Sequence, residues 1–176
     1  RDLEIVDSDL GWLMAWLPDT LGGNPAIEVR TLVDGGIEAS TEKVEAEPSL
    51  GERTLALARV GSRVAIADRA PASVATGSLR VRLLDSYKGT MTSGGGPGTM
   101  LIVGRVGEDL HLGTIVSRGT RLVLVAQAWN GANWSIRTYG FETANGIFEL
   151  LDKGVLETPA GSGHALLGPR SEEHTS

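Results

Sequence analysis

Short apolar runs separated by turn-forming residues dominate the hydrophobic pattern of this chain. Runs rich in Val, Ile, Leu and Ala are bounded by Gly, Asn, Asp and Pro, which is typical of β-strands joined by tight turns. No stretch combines the i, i+3, i+4, i+7 spacing with the capping residues of an amphipathic helix. The best helical candidate, Glu38–Glu47, is polar, and we favour an all-β interpretation without it. The predicted strands are Trp12–Leu17, Ala26–Val33, Thr54–Val60, Arg63–Asp68, Leu79–Asp85, Thr99–Val106, Leu110–Val116, Arg121–Gln127, Trp134–Phe141, Ile147–Leu151 and His164–Leu167.

A pattern of four strands recurs three times along the chain. The copies begin near Trp12, Arg63 and Arg121, each with a mostly apolar strand followed by a polar or Gly-containing loop. The next strand reads apolar-x-apolar-Arg-x-apolar in every copy. A third element then starts at a glycine, and a fourth strand precedes the next copy. The arginines at the shared position are Arg30, Arg82 and Arg137.

Repeated four-stranded units of this length are typical of β-propeller blades. One such sheet is too thin to bury both of its faces, and radial packing buries them, which explains why the first strands are nearly all apolar. We therefore predict an all-β fold, an incomplete β-propeller of about three four-stranded blades. The repeats span roughly 5–60, 61–116 and 117–169. Because propellers have four to eight blades, three copies predict a fragment of a larger protein.

The two ends of the chain point to a fragment on separate grounds. Residues Arg170–Ser176 are the frame translation of AGATCGGAAGAGCACACGTCT, the start of a common sequencing adapter, and the chain opens with Arg1 instead of Met. We therefore expect residues 170–176 not to be native. Residues 1–169 are expected to be the propeller fragment, taken from a longer bacterial protein of metagenomic origin.

The first copy resembles the FG-GAP/VCBS type of propeller repeat. Residues 6–16 follow that family's order of a short strand, an acidic turn and an apolar strand, with Asp7, Asp9 and Gly11 in the turn. The second and third copies keep the strand order without the acidic turn. In that family the acidic turn binds calcium, and the resemblance implies this role only for Asp7 and Asp9. Because calcium takes six to eight oxygen ligands, we expect a degenerate turn and no cofactor, with calcium as the alternative.

Composition narrows the classes of partner. Asp and Glu number 22 against 16 Lys and Arg, and the net charge is −6, whereas nucleic-acid binding requires a basic surface. We therefore expect no nucleic-acid partner. The absence of Cys excludes disulfides, thiolate metal ligands and Cys nucleophiles. No apolar run in this sequence is long enough for a membrane-spanning helix.

The repeated arginines and one tryptophan are the candidate ligand-binding residues. Arg30, Arg82 and Arg137 could bind a carboxylate or sulfate if their faces converged. A structural role, in which each arginine packs its stem and donates to a neighbouring blade, is the favoured interpretation. Trp129 stands at an Asn-Gly turn, which is a strong hairpin signal, and is the candidate for an exposed contact residue.

Other chemistry-bearing residues have structural interpretations. Trp12, Trp16 and Trp134 share the parity of apolar strand neighbours, which predicts burial between blades. Asp68 follows an apolar strand, where an aspartate commonly shapes a turn. His111 adjoins a predicted strand and has no partner at metal-binding spacing.

The function expected from this pattern is a repeat-propeller scaffold for binding or adhesion, with a protein or carbohydrate ligand. The resemblance implies a secreted or cell-envelope location. One alternative is part of a propeller enzyme, a hydrolase or lyase, whose active-site residues lie partly on further blades. A second is a structural β-sandwich or barrel of a phage or surface assembly. Fold alone does not decide among functions.

Overall fold

The structure, a computed structural model, consists of β-strands in three separate antiparallel sheets, so the all-β prediction is confirmed. It describes residues 3–9, 11–17, 26–33, 36–37, 42–45, 55–71, 75–85, 90–91, 100–144 and 147–157. None of the described strands closes a sheet into a barrel. The predicted strand His164–Leu167 and residues 170–176 lie outside the described residues.

Sheet A contains the first five strands. Its order is β1-β2-β3-β4, and β5 also pairs with β3. The strand β5 lies within the polar segment that was the best helical candidate, so the described part of that segment is extended. The strands are β1 (Leu3–Ser8), β2 (Gly11–Trp16), β3 (Ala26–Val33), β4 (Gly36–Ile37) and β5 (Glu42–Glu45).

Sheets B and C repeat this meander. Sheet B has the order β10-β8-β7-β6 with β9 paired to β8, and sheet C has the order β11-β12-β13-β14. The strands of sheet B are β6 (Leu55–Val60), β7 (Arg63–Arg69), β8 (Leu79–Asp85), β9 (Thr90–Met91) and β10 (Met100–Val103). The strands of sheet C are β11 (Asp109–Arg118), β12 (Arg121–Trp129), β13 (Trp134–Ala144) and β14 (Ile147–Glu157).

Each sheet begins one strand earlier than the corresponding sequence copy. The strands before Arg63 and Arg121 were interpreted as the last strands of the preceding copies, whereas β6 hydrogen-bonds to β7 and β11 to β12. Two-residue turns make these pairings local, and Gly61 and Gly119 adopt the positive φ that such hairpin turns require. The sheets therefore cover residues 3–45, 55–103 and 109–157.

Sheet B lies between the other two and buries both of its faces. Alternate residues of its strands point to opposite sides, so one face contributes to a core with sheet A and the other to a core with sheet C. Small residues such as Ala65 and Ala67 face sheet C, whereas Val64 and Ile66 face sheet A. The near-continuous apolar character of β7 follows from this double burial.

The three sheets share a cross-strand register. The arginine shared by the three copies lies opposite a residue of the preceding long strand in each sheet. Arg30 pairs with Met14, Arg82 with Ile66 and Arg137 with Ala126. We call the side of each sheet that carries this arginine its Arg-bearing face. The Arg-bearing face of sheet B packs on sheet A, and that of sheet C packs on sheet B. In sheet A the same face points away from sheet B, because the opposite residues of β2 and β3 form the shared core.

The sheets approach one another most closely at their first strands. The strand β6 lies beside β1 on one side and β11 on the other, and the other close approaches between sheets also involve one of these three strands. The stack is therefore closest along the edge formed by β1, β6 and β11.

Candidate functional site

The three repeated arginines do not meet at one site. Arg82 lies between sheets A and B, Arg137 lies between sheets B and C, and Arg30 lies on the outer side of sheet A. Equivalent register therefore places them on successive sheets, each at a different interface. A shared carboxylate or sulfate site formed by all three is not present in this arrangement.

Arg82 belongs to a buried ionic cluster with Asp68 and Arg80. The Nη2 atom of Arg82 donates to Oδ2 of Asp68 at 2.8 Å. Arg80 donates twice to the same carboxylate, from Nη2 to Oδ2 at 2.6 Å and from Nε to Oδ1 at 3.2 Å. All three side chains are buried, with Asp68 only 1% exposed. Cross-strand pairing of Asp68 with Arg80 puts them side by side on the Arg-bearing face.

The protonation of Asp68 is subject to opposing effects. Burial raises the pKa of its carboxyl above the ordinary value, and the guanidinium groups of Arg82 and Arg80 counter this increase. A guanidinium does not lose its proton in a protein, so the cluster retains two buried positive charges whatever the state of Asp68. Such a cluster strongly penalises removal of the carboxylate.

Arg137 is satisfied in a different way. Its Nη2 and Nε atoms donate to the two carboxylate oxygens of Glu108, and the Nε bond measures 3.4 Å. Glu108 directly precedes β11, so this pair ties the link between sheets B and C to the middle of sheet C. Burial also raises the pKa of the nearby Tyr139 phenol, and the negative charge of Glu108 contributes to the increase.

Arg30 contacts an aromatic ring on the outer side of sheet A. Its guanidinium carbon lies 5.4 Å from the centroid of the Trp16 ring, a cation–π distance. Trp12, on the same side of the sheet, is exposed, so the prediction that it is buried between sheets is wrong for this structure. Trp12 and Trp16 do lie on one side of β2, as their alternate positions predict. That side faces outward because Leu13 and Ala15 on the opposite side form the core with sheet B.

Asp7 in β1 and Asp9 in the β1–β2 turn, which we call the acidic pair, bind Arg59 of β6. Nη1 of Arg59 donates to Oδ2 of Asp7 at 2.6 Å, and Nη2 donates to Oδ1 of Asp9 at 2.5 Å. The hydrogen bond to Asp7 raises the pKa of Arg59 above its ordinary value. These contacts link sheet A to sheet B through a turn that the sequence associates with calcium.

The acidic pair as placed here does not fit calcium. Both carboxylates face a guanidinium that already supplies positive charge, and calcium needs six to eight oxygen ligands. Within the described residues, no group of three or more His, Asp or Glu side chains could hold a metal ion. Calcium binding at Asp7 and Asp9 therefore stays a prediction drawn from the resemblance.

A groove lies at one rim of the structure, where loops of sheet B meet sheet C. It has a volume of about 780 Å³ and is lined by residues from the end of β7, from the loop before β8, from the link 104–109 and from the β12–β13 turn. Lining residues with chemical potential are Arg69, Arg105, Glu108, Asp109 and Trp129. We call this feature the rim groove.

Close packing of backbone shapes the rim groove. Gly77 has a φ of +71°, and a Cβ at this position would lie 2.6 Å from the backbone oxygen of Glu108. The amide of Leu110 donates to the carbonyl of Gly77 at 2.8 Å. Only glycine combines the positive φ with this close approach, so the loop before β8 is fixed against the first strand of sheet C.

Trp129 stands at the mouth of the β12–β13 hairpin, as the Asn-Gly signal predicts. Oδ1 of Asn130 accepts from the amides of Ala132 and Asn133 at 2.9 and 2.8 Å, and Gly131 has a φ of +91°. Trp129 is half-buried, and its ring packs against Trp134 with 5.2 Å between centroids. The hairpin therefore holds one face of an aromatic pair beside the groove.

Charged side chains form the other side of the rim groove. Nη2 of Arg69 donates to Oδ1 of Asp109 at 2.7 Å, and Nε2 of His111 lies 3.5 Å from the other carboxylate oxygen. His111 also contacts the edge of Trp134 at 4.8 Å between centroids. Arg105 is exposed and forms no ion pair with the part of the chain that the structure describes. The groove thus combines an aromatic surface, a fixed ion pair and an available cation.

Three polar residues of this architecture were missed or misinterpreted from the sequence. Asp68 lies inside β7 and accepts from two arginines, although its position after an apolar run suggested a turn. Glu108 and Arg59 carried no signal in the repeat pattern. For Asp68 a signal existed, because an acidic residue at the end of an apolar strand and two arginines on the next predicted strand are complementary.

Comparison with known proteins does not identify the chain. No family model matches it, and no curated protein matches it. The resemblance to FG-GAP/VCBS repeats therefore stays a prediction. Among the residues that the structure describes, none belongs to a helix with the length and apolar character needed to cross a membrane.

Proposed function

We propose that this chain is a repeat-propeller scaffold for binding or adhesion, in which sheets A, B and C are consecutive blades. The observation that carries the proposal is the shared register. In two successive interfaces, the Arg-bearing face of one sheet packs on the opposite face of the sheet before it. Such a stack repeats one interface, which is the principle of a propeller.

The convergence of the first strands supports the same arrangement. Blades that radiate from an axis approach each other most closely at their innermost strands, and the closest approaches here involve β1, β6 and β11. A β-sandwich needs only two facing sheets, whereas sheet B is covered on both sides. The proposal extends to a larger protein, secreted or attached to the cell envelope, in which further blades complete the ring.

The rim groove is the binding site in this proposal, and a carbohydrate is its ligand. The exposed part of Trp129 offers a flat apolar surface on which a sugar ring can stack, and the neighbouring Trp134 restricts the orientation of that surface. Arg105 supplies hydrogen-bond donors for hydroxyl or carboxylate groups. Half-buried aromatic residues beside a few polar groups are characteristic of ligand sites.

Affinity electrophoresis through gels containing soluble polysaccharides, both neutral glucans and polymers of uronic acids, tests the binding function. We expect at least one polysaccharide to retard the wild-type chain, Trp129→Ala to lose the retardation, and Trp129→Phe to retain part of it. Arg105→Ala is expected to weaken binding, whereas Arg118→Ala, an exposed arginine on β11 away from the groove, is the matched control. Equal retardation of wild type and Trp129→Ala, or no retardation by any polymer, would overturn the carbohydrate proposal.

Sequencing across both ends of the native locus tests the propeller arrangement separately. Further copies of the strand-loop-strand unit with the apolar-x-apolar-Arg pattern are expected next to the three present here. A native reading frame limited to these three copies would refute a larger single-chain propeller.

A further inference from the structure

The Arg-bearing face of sheet A exposes large apolar side chains. Leu3, Ile5 and Trp12 on this face are 60%, 51% and 53% exposed. Cross-strand pairing places Ile5 beside Met14 and Trp12 beside Leu32, so these apolar residues adjoin one another on β1, β2 and the end of β3. The same face also carries the charged residues Asp7, Glu28 and Arg30. A contiguous apolar surface on a soluble protein commonly marks an interaction site.

The residues of sheet B at the same register positions are completely covered. Leu55, Leu57 and Val64 are the counterparts of Leu3, Ile5 and Trp12, because they hold the same places relative to the paired arginine. None of these counterparts in sheet B is more than 9% exposed.

Sheet C follows the same rule. Its residues at these positions are Leu110, Leu112 and Leu124, which are also at most 8% exposed. All nine residues of the three sheets are apolar, yet only those of sheet A lack a covering sheet. The sequence of sheet A is therefore suited to the same type of interface that covers its two counterparts.

The arginine on this face differs from its two counterparts, because it has no carboxylate partner among the described residues and contacts the Trp16 ring instead. Arg82 and Arg137 each donate to a carboxylate at an interface between sheets. The Nε atom of Arg30 is buried and has no hydrogen-bond partner among the described residues. The Nε atom of Arg82 is in the same state although sheet A covers its face, so the difference at Arg30 is the carboxylate, which a covering sheet can supply.

The chain also carries the other half of this interface. The face of sheet C that points away from sheet B is equivalent to the faces with which sheets A and B cover the next sheet. It presents Val116, which is 52% exposed, with its cross-strand neighbour Val123, and the half-buried Val125 and Ile136. The same face also carries Gln127, Thr138, Trp129 and Trp134. Both outer faces of the stack thus continue an interface that occurs twice inside the chain.

We propose that the Arg-bearing face of sheet A binds the outer face of sheet C of a second copy of this chain, head to tail. This inference rests on the stacking in the proposed function and concerns the chain of these three sheets by itself, in which a second copy takes the place of further blades. A head-to-tail contact uses different surfaces on the two copies, so it either closes into a ring or extends. Two copies in a closed ring contain six sheets, which lies within the range of four to eight blades seen in propellers.

Sedimentation velocity over a range of protein concentrations, combined with two blocking variants, tests the proposal. We expect wild type to form dimers or larger species. Ile5→Arg places a charge in the face of sheet A, and Val116→Arg does so in the outer face of sheet C, so each variant alone is expected to be monomeric. Met100→Arg is the matched control, because Met100 is 42% exposed on β10 of the inner sheet B and lies on neither outer face. Circular dichroism and thermal unfolding establish that each variant is folded.

Mixing the two blocking variants distinguishes head-to-tail association from other modes. Each variant keeps the half-interface that the other has lost, so an equimolar mixture is expected to form a one-to-one dimer and no larger species. A monomeric wild type at all concentrations would overturn the proposal. Loss of association in only one variant would also overturn it, since that result indicates contact between identical faces. Trp129 lies on the outer face of sheet C, so polysaccharide binding is measured on the Ile5→Arg variant, whose sheet C is not covered by a second copy. Failure of assembly and failure of the groove then give different results.

Discussion

Substitution of Asp68 by Asn is expected to be one of the most damaging single changes in this protein. The carboxylate accepts three hydrogen bonds from Arg80 and Arg82, and all three side chains are buried. Asn keeps the size of the side chain but removes the negative charge, so the two buried guanidinium groups lose the carboxylate that they share. Breaking a buried ion pair in this way costs about 3–5 kcal/mol, a large fraction of the roughly 5–15 kcal/mol that stabilises a typical domain.

The assay is equilibrium unfolding in urea at pH 7, with all variants at one low protein concentration because association would add to the apparent stability. The matched control is Asp109→Asn, which removes the same charge from the partly exposed pair with Arg69. Since pairs of that kind contribute about 0–1 kcal/mol, we expect the control to lose no more than this. If Asp68→Asn lowers the free energy of unfolding no more than Asp109→Asn does, the buried ionic cluster does not stabilise the fold as proposed.

A triple variant distinguishes the cost of removing the carboxylate from the net contribution of the whole cluster to the free energy of unfolding. Replacing Asp68 by Leu and both Arg80 and Arg82 by Met removes every charge while keeping similar volumes. Because well-packed apolar residues often replace a buried ionic group at no net cost, this variant is expected to recover most of the stability lost by Asp68→Asn. A triple variant less stable than Asp68→Asn would show that the arginines stabilise the sheets by other contacts.

Three further outcomes are expected. In urea unfolding, Gly77→Ala should lower the free energy of unfolding by about 1–2 kcal/mol because of the positive φ and by a further 1–3 kcal/mol because of overpacking. Gly61 has a similar φ but open space around it, so Gly61→Ala should lose only the contribution from φ. Folding raises the pKa of Tyr139, so the unfolded chain loses its phenolic proton first as the pH rises above about 10, and the free energy of unfolding falls there. Tyr139→Phe should show a shallower fall. Parallel plots of unfolding free energy against pH for the two proteins would contradict this. Millimolar calcium should leave the Tm of wild type unchanged because Arg59 engages the acidic pair, and an increase of several degrees would show that calcium displaces the guanidinium.

Local features of the fold were predictable from sequence because they depend on neighbouring residues. The Asn-Gly hairpin between β12 and β13 is present where the turn chemistry placed it. The strand β1 was missed, because Leu3–Ser8 is short and interrupted by acidic residues. The end of β12 was also placed too early, since Trp129 still pairs with Trp134.

The candidate site depended on contacts that no local pattern contains. The rim groove joins β7, the loop before β8, the link between sheets B and C, and a hairpin of sheet C. Trp129 was identified because its turn has a recognisable sequence. Arg69 and Arg105 had no such signal, since their placement beside Trp129 follows from the packing of sheet C on sheet B.

The all-β class and the position of an arginine within an apolar strand of each copy were predictable without the structure. These properties follow from the alternation of side chains and from turn residues, which act over a few positions. Tertiary structure decided which side of each strand is buried. In β2 both parities are apolar, and only the presence of sheet B on one side separates buried Leu13 from exposed Trp12. The same holds for the partners of the arginines, because cross-strand register and sheet packing bring Asp68 to Arg82 and Glu108 to Arg137.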